Sequence, residues 1–204
     1  MDERETWDRI YEESSRGDGV GDGFGHLDWF FPYGFVSGLL ASLLAGPGVR
    51  RALDLGCGTS GLGPGLYARC PFPVRVTGVD FSPVAVRLMR ERFGGLPPSP
   101  PAPALAPGHP ASRLDFVLAD VTDLSAFRPS SFHLVLDKGT SDALLRSPGD
   151  ALASPSRVPP PPPRNSDVTN ALASRACPSR ARLVLSGIHS SSLFDATQQS
   201  QRLD

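Results

Sequence analysis

Residues 51–61, RALDLGCGTSG, decide the fold class of this chain. A short apolar run leads into glycines at positions 56, 58 and 61, which follow the G-x-G-x-x-G spacing. This pattern predicts a strand that turns into a helix through a loop whose backbone N–H groups can approach a nucleotide. Asp54 stands two residues before the first glycine, so the question is which nucleotide accepts a carboxylate there.

From this stretch to Asp137, short apolar runs alternate with helical or loop segments, the pattern of βα units around a mostly parallel sheet. The predicted strands are 51–55, 74–80, 114–120 and 132–137. Each carries an aspartate at or near its carboxyl end. Because parallel strands end on one rim, where open α/β sheets bind ligands, we expect these acids to converge.

One helix is well defined by its ends. After the second strand, Ser82 can cap a helix and Pro83 suits its first turn, and Gly94-Gly95 terminates the apolar pattern. A shorter helix before the first strand is predicted to end at Gly46-Pro47-Gly48.

Composition excludes several function classes. A chain of 204 residues has room for one sizeable α/β domain. Its net charge of −1 offers no concentrated basic surface for nucleic acid or an anionic membrane. No apolar run approaches the roughly 18 residues that a membrane span needs. We therefore expect neither a nucleic-acid partner nor a membrane partner.

The cysteines and the first residues bear on metals and location. Cys57, Cys70 and Cys177 share no metal-ligand spacing, so we expect no metal site and a reducing compartment. Residues 1–16 hold six acids against three arginines. A mitochondrial presequence is arginine-rich and poor in acids, so none is visible in this chain.

Two parts of the chain differ in composition. Residues 1–145 are predicted to form the nucleotide-binding domain, with a proline-rich loop at 96–110. Residues 146–204 are rich in proline and serine and contain a five-proline run. We expect this segment to be mostly disordered or aberrant, with one possible strand at 181–188.

The acids discriminate between possible ligands. Asp54 would repel a pyrophosphate but accept hydrogen bonds from a cation, and S-adenosylmethionine (SAM) carries both an ammonium and a sulfonium. Asp80, at the end of the second strand, can accept from both ribose hydroxyls, a feature that NAD and SAM share. Asp120 is placed for the exocyclic amine of adenine. The literal glycine fingerprint leaves an NAD-dependent oxidoreductase as an alternative, which Asp54 and Asp120 disfavour.

Two neighbouring residues end the fourth strand. Lys138 is the only lysine in a chain with 20 basic residues, so a surface role by chance is less expected there. Asp137 is by position a candidate for the carboxylate that removes a proton from a substrate amine. It could equally be the partner of Lys138 or the cap of a turn. No catalytic residue is assigned.

Four stretches occur in order, namely LDLGCGTSGL, GVDFSPVAV, ADVTDL and LDKGTSDALL. They resemble the successive motifs of class I, seven-strand SAM-dependent methyltransferases, in particular the branch that methylates protein lysines. The segments DWFF and APGHPASRLDF are similar to the mitochondrial group that modifies citrate synthase. The string KGTSDALL and the WDRIY segment also resemble a group that acts on elongation factor 1A.

The resemblance runs from Trp7 to about Leu145 and fades beyond it. It implies a Rossmann-like α/β methyltransferase sheet that is incomplete at its C-terminal strands, with SAM as cofactor. Trp7 or Trp29 could cover that ligand or face its sulfonium through cation–π attraction, and core packing is the alternative for both. The implied cofactor-binding residues are Trp7, Tyr11, Trp29, Asp54, Gly56, Gly58, Asp80, Phe81, Asp120, Val121 and Lys138.

The activity that the resemblance implies is SAM-dependent protein-lysine N-methylation of citrate synthase in mitochondria. Three alternatives remain at this stage. The chain could be a truncated, non-catalytic SAM-binding fragment, it could methylate another protein lysine such as one in elongation factor 1A, or it could act in the cytoplasm.

Overall fold

The computed structural model describes residues 3–16, 28–94, 105–145 and 182–184. Its strands are β1 (Arg50–Leu55), β2 (Val74–Asp80), β3 (Arg113–Leu118), β4 (Leu134–Asp137) and β5 (Arg182–Val184). Its helices are α1 (Glu3–Arg16), α2 (Ser37–Leu44), α3 (Leu62–Arg69), α4 (Pro83–Phe93) and α5 (Thr140–Leu145), with a 3-10 turn at Tyr33–Phe35.

The strands form one parallel sheet in the order β3-β2-β1-β4-β5. The chain runs outward from β1 through β2 to β3 and then crosses back to β4 on the other side of β1. This reversal creates a switch point between β1 and β4, where the connections leave in opposite directions and open a crevice. The predicted α/β class is therefore confirmed. β5 lies within the predicted strand 181–188, and the rest of 146–204 lies outside the described residues.

The central strand β1 is held by core packing on both faces. Successive side chains of a strand point to opposite faces. Ala52 packs with Leu40 of α2 and Leu66 of α3, while Leu53 packs on the other face with Val79 and Val135. A strand covered on both sides reads as a continuous apolar run, which is why residues 52–55 include only one charged side chain, Asp54.

Local signals place α4 as predicted. The backbone N–H of Ala85 donates to the Ser82 hydroxyl oxygen at 3.1 Å, Pro83 occupies the first turn, and Gly94 follows the last helical residue. The third strand is shorter than the predicted 114–120, because β3 ends at Leu118. Asp120 consequently belongs to the turn after the strand, where its Oδ1 accepts from the Thr122 N–H at 2.8 Å.

Two further findings concern membrane-spanning helices and the cysteines. None of the helices in the described part of the chain has both the length and the apolar content to cross a membrane. Cys57 and Cys70 are buried free thiols, and Cys177 lies outside the described residues.

The two-sided core around β1 predicts a large cost for truncating a side chain of the neighbouring strand. Leu136 of β4 is fully buried, so Leu136→Ala should lower the free energy of unfolding by about 2–5 kcal/mol. Leu118 of β3 is 53% exposed, and Leu118→Ala should cost less than about 1 kcal/mol. Urea denaturation with an unchanged m value measures both. Equal shifts in the two variants would contradict this packing.

Candidate functional site

A cavity opens beside the carboxyl ends of β1 and β4, at the switch point of the sheet. The space between its walls, together with solvent at its open side, is about 310 Å³. Residues from four chain segments meet there: α1, the segment before the 3-10 turn, the end of β1 with the loop that follows it, and the residue after β4. The lining residues are Tyr11, Trp29, Asp54, Gly56, Cys57, Gly58, Thr59, Ser60 and Lys138.

The loop after β1 depends on glycine at two positions. Gly56 and Gly58 have φ values of +53° and +48°, the left-handed region that residues with a Cβ rarely adopt. Space is also lacking, since a Cβ at Gly56 would lie 2.2 Å from Oγ1 of Thr140. That hydroxyl donates to the Leu55 carbonyl oxygen at 2.8 Å and so ties the start of α5 to the end of β1.

Asp54 is the acid that lines the base of the cavity. Its side chain is only 2% exposed. Burial raises the pKa of Asp54 to about 7, Lys138 opposes this shift, and the carboxylates of Asp137, Asp28 and Asp80 add to it. Four acids near one lysine leave this region short of positive charge.

Asp80 organises the loop from behind. Its Oδ2 accepts from the Gly58 N–H at 2.8 Å and its Oδ1 accepts from the Ser82 N–H at 2.9 Å. Burial, to 2% exposure, raises the pKa of Asp80, while these backbone hydrogen bonds oppose the rise. The residue that sequence analysis placed at a ribose therefore already holds the glycine loop against the start of α4.

Three aromatic residues border the cavity. Trp7 stacks on Tyr11 with ring centroids 5.8 Å apart and meets Trp29 edge-on at 6.3 Å. Tyr11 is buried against the loop, because a Cβ at Gly58 would lie 2.7 Å from its hydroxyl oxygen. Burial, with Asp80 nearby, raises the pKa of this phenol, so it stays neutral. Trp29 lines the cavity and is 46% exposed, which puts it at the mouth.

Lys138 is nearly buried and ion-paired. Its Nζ donates to Oδ1 of Asp28 and, at 3.4 Å, to the Phe31 carbonyl oxygen. The same Asp28 oxygen accepts from the Ser60 hydroxyl at 2.8 Å. Asp28, the first residue of the quoted segment DWFF, is not among the site residues predicted from the sequence.

Asp137 makes several contacts with the helix that follows β4. Its Oδ1 accepts from the backbone N–H groups of Thr140 and Ser141, at 3.0 and 3.3 Å, and its Oδ2 accepts from the Ser141 hydroxyl. Of the roles that the sequence leaves open for Asp137, this geometry favours the capping of α5.

The predicted site residues thus divide into three groups. The cavity brings together Tyr11, Trp29, Asp54, Gly56, Gly58 and Lys138. Trp7 and Asp80 contact that set from outside. Among the described lining residues, Asp120, Phe81 and Val121 are absent: Asp120 is exposed in its turn, Phe81 is half-buried, and Val121 packs in the core with Leu53. Five residues at or beside the cavity were not among the predicted site residues: Asp28, Cys57, Thr59, Ser60 and Thr140. All five lie in sequence stretches that were quoted, namely the glycine loop, DWFF and LDKGTSDALL, but no local pattern gave them a role.

A family model described as a methyltransferase domain matches residues 52–154, half of the chain. The chain belongs to the methyltransferase domain family. The match begins within β1 and includes the glycine loop, β2 to β4 and the residues around Asp137. Seven of the nine residues that line the cavity lie in the matched range, and Tyr11 and Trp29 precede it.

Two curated relatives agree with the assignment to the methyltransferase family. Human mitochondrial citrate synthase-lysine N-methyltransferase is 48% identical over 150 residues, which are 71% of this chain and 58% of the relative. Mouse EEF1A lysine methyltransferase 4 is 33% identical over 144 residues, 71% of this chain and 46% of the relative. The chain thus spans about half the length of the relatives it matches.

A solved Methanococcus maripaludis chain, assigned to the SAM-dependent methyltransferases, superposes with a TM-score of 0.51 at 12% identity. The superposition covers 97% of this chain and 70% of the Methanococcus maripaludis chain. This likeness supports the class I methyltransferase fold.

The methyltransferase family indicates SAM as the cofactor, and the described residues fit it. The buried carboxylate of Asp54 suits the cationic methionine end. The hydroxyl of Thr59 lies in the cavity wall, is buried, and has no hydrogen-bond partner among the described residues, so a polar group of a ligand would satisfy it. No group of acids, histidines and cysteines suited to a metal occurs in the described ranges.

The glycine loop of this methyltransferase domain should not tolerate a methyl group at position 56. Gly56→Ala forces a left-handed residue against Oγ1 of Thr140, and it should lower the free energy of unfolding by about 2 kcal/mol or more. Gly34→Ala is the matched control, because a Cβ there meets nothing within 4 Å. Chemical denaturation compares the two, and equal stability would refute the close contact with Thr140.

Buried Asp54 makes the stability of the ligand-free domain depend on pH. An unfolded aspartate releases its proton near pH 4, whereas folded Asp54 keeps it to about pH 7. The folded state therefore binds more protons in this window, and its stability falls as pH rises, by at most about 1.4 kcal/mol per pH unit. Asp54→Asn should flatten this slope.

Urea denaturation at pH 5, 6, 7 and 8 provides the measurement. Asp115→Asn, an exposed position on β3, is the control and should keep the wild-type slope. An Asp54→Asn variant with the wild-type slope would show that Asp54 ionises normally.

Proposed function

We propose that this chain supplies the SAM-binding domain of a protein-lysine N-methyltransferase and that citrate synthase is its protein substrate. The observation that carries the first part is the carboxylate of Asp54, 2% exposed at the base of a cavity in a methyltransferase domain. The second part is supported by the 48% identity to a human protein named for citrate synthase.

The charges around the cavity favour a cationic ligand. Asp28, Asp80 and Asp137 each raise the pKa of Asp54, and Lys138, which opposes them, is already paired with Asp28. A pyrophosphate placed there would add negative charge to a buried acidic region, which is unfavourable. The ammonium and sulfonium of SAM add positive charge instead. The negative charge of the acids around the cavity argues against a dinucleotide cofactor.

The protein's contribution is binding, alignment and exclusion of water. When bound, SAM supplies a methyl group that a neutral lysine nitrogen attacks in line. Asp54 would hold the amine of the methionine end, and Trp29, exposed at the mouth, would face the incoming lysine side chain. Asp137 is engaged in capping α5, so we assign no general base among the acids at the cavity.

The adenosine half would extend from the cavity toward Asp80, Phe81 and Asp120. At 2% exposure the Asp80 carboxylate is reached by a ribose only if neighbouring groups move. Tyr11 and Asp8 of α1 are the charged or polar neighbours on that side. Asp120 is exposed and open to an adenine amine, whereas Val121, whose side chain is in the core, would contribute its backbone.

Location follows the same reasoning from relatives. The human relative is named mitochondrial, and we propose the mitochondrion for this protein because citrate synthase is the proposed substrate.

The decisive experiment follows the transfer of a labelled methyl group from SAM to purified citrate synthase, with elongation factor 1A in a parallel reaction. Wild type should label citrate synthase. Asp54→Asn should raise the KM for SAM by about tenfold or more, since it removes the charge that meets the ammonium. Asp115→Asn, exposed and distant in sequence from the cavity residues, should behave as wild type.

Each other outcome corrects a stated part of the proposal. Label in elongation factor 1A alone would change the substrate and keep the activity. Calorimetric binding of SAM with transfer to neither protein would favour the non-catalytic alternative. An absence of SAM binding would refute the cofactor site itself.

A further inference from the structure

Asp28 joins three segments of the chain that are far apart in sequence. We propose that Asp28 is a positioning residue of the cofactor site, which acts through Ser60 on the glycine loop and through Lys138 on Asp54. This inference rests on the proposed function, because it assigns Asp28 a role in shaping the SAM cavity. Asp28 itself is not among the lining residues.

The first interaction of Asp28 is with Ser60, and it fixes the glycine loop after β1. The Ser60 hydroxyl donates to Oδ1 of Asp28 at 2.8 Å and accepts from the Leu62 N–H, the first residue of α3, at 3.1 Å. Ser60 is buried and follows Thr59 directly, so the carboxylate of Asp28 determines where the unpartnered Thr59 hydroxyl lies in the cavity wall. Hydrogen bonds to an ionised acceptor are stronger than neutral ones, which suits this anchoring role.

The second interaction of Asp28 keeps the Lys138 ammonium away from Asp54. Nζ of Lys138 donates to the same Oδ1 of Asp28, approaches the Phe31 carbonyl oxygen at 3.4 Å, and lies 5.8 Å from the centre of the Phe31 ring. The lysine side chain is only 5% exposed, so it needs an anionic partner. Asp54 is the competing partner at the cavity.

The competition has a direct consequence for the ligand. If Asp28 loses its charge, Lys138 is expected to turn toward Asp54, and the ammonium of the cofactor then meets an acceptor that is already neutralised. Trp29, the residue after Asp28, lines the mouth of the same cavity. Asp28 thereby positions Ser60 in the glycine loop, Lys138 beside the base of the cavity, and its chain neighbour Trp29 at the cavity mouth.

Asp28→Asn tests the role with little change of shape, since asparagine keeps an acceptor oxygen and loses the charge. Calorimetry with SAM should show binding weakened by about tenfold at pH 7.5. In turnover assays the KM for SAM should rise while kcat changes less than twofold. Asp115→Asn serves as the matched control and should leave both values unchanged.

The pH dependence of SAM binding separates positioning from a purely structural effect. Wild-type affinity should fall as pH drops through about 7, where Asp54 takes up a proton. In Asp28→Asn the freed Lys138 lowers the pKa of Asp54, and loss of Asp28 removes one carboxylate that raised it, so the midpoint should move to lower pH. The other titratable groups near Asp54, which are Asp80, Asp137 and the Cys57 thiol, are unchanged in the variant.

Four outcomes decide the matter. Weaker SAM binding with a lower midpoint supports the proposal. Unchanged affinity overturns it. A weaker affinity with the midpoint unmoved also overturns it, whether or not the unfolding temperature falls, since Asp28 would then not act through Lys138 on Asp54. If wild type binds no SAM, the proposed function fails and takes this inference with it.

Discussion

The burial of one carboxyl group, Asp54, is the constraint around which the cavity is built. Asp54 is the last but one residue of β1, a strand covered on both faces, and burial raises its pKa to about 7. A buried charge without a matched partner is unfavourable, so the fold retains it only because other contacts hold β1 in place. β1 pairs with both β2 and β4, and Thr140 ties the end of the strand to α5. A cationic ligand at the cavity would relieve the cost that this packing imposes.

Acids at the ends of neighbouring strands perform different tasks, although they look alike in sequence. Asp80 binds two backbone N–H groups and shapes the glycine loop, and Asp137 caps α5. Asp120 stabilises the turn after β3, and Asp54 alone of these four lines the cavity. A hydrogen bond donated to a carboxylate stabilises its ionised form and so weakens it as a base. The division explains why an acid-rich rim need not contain a catalytic base.

Family membership and the structure address different questions. The matched family model identifies a methyltransferase domain, and the arrangement of the described residues adds why its ligand should be cationic. The relatives named for citrate synthase and for elongation factor 1A share a little over two thirds of this chain and about half of their own lengths. Trp29 is exposed at the mouth of the cavity, so the proposed protein substrate would meet this surface.

The sequence by itself determined the α/β class, the approximate extents of β1 to β4, and α4 with its Ser82 cap, because periodicity, glycine turns and helix caps act over a few residues. It also determined that Gly56 and Gly58 form a loop after β1. Tertiary structure alone decided that Asp28 meets Ser60 and Lys138, which lie 32 and 110 residues away, and that Val121 packs in the core. Such contacts depend on how βα units stack, and no local pattern encodes the side-chain distances that result.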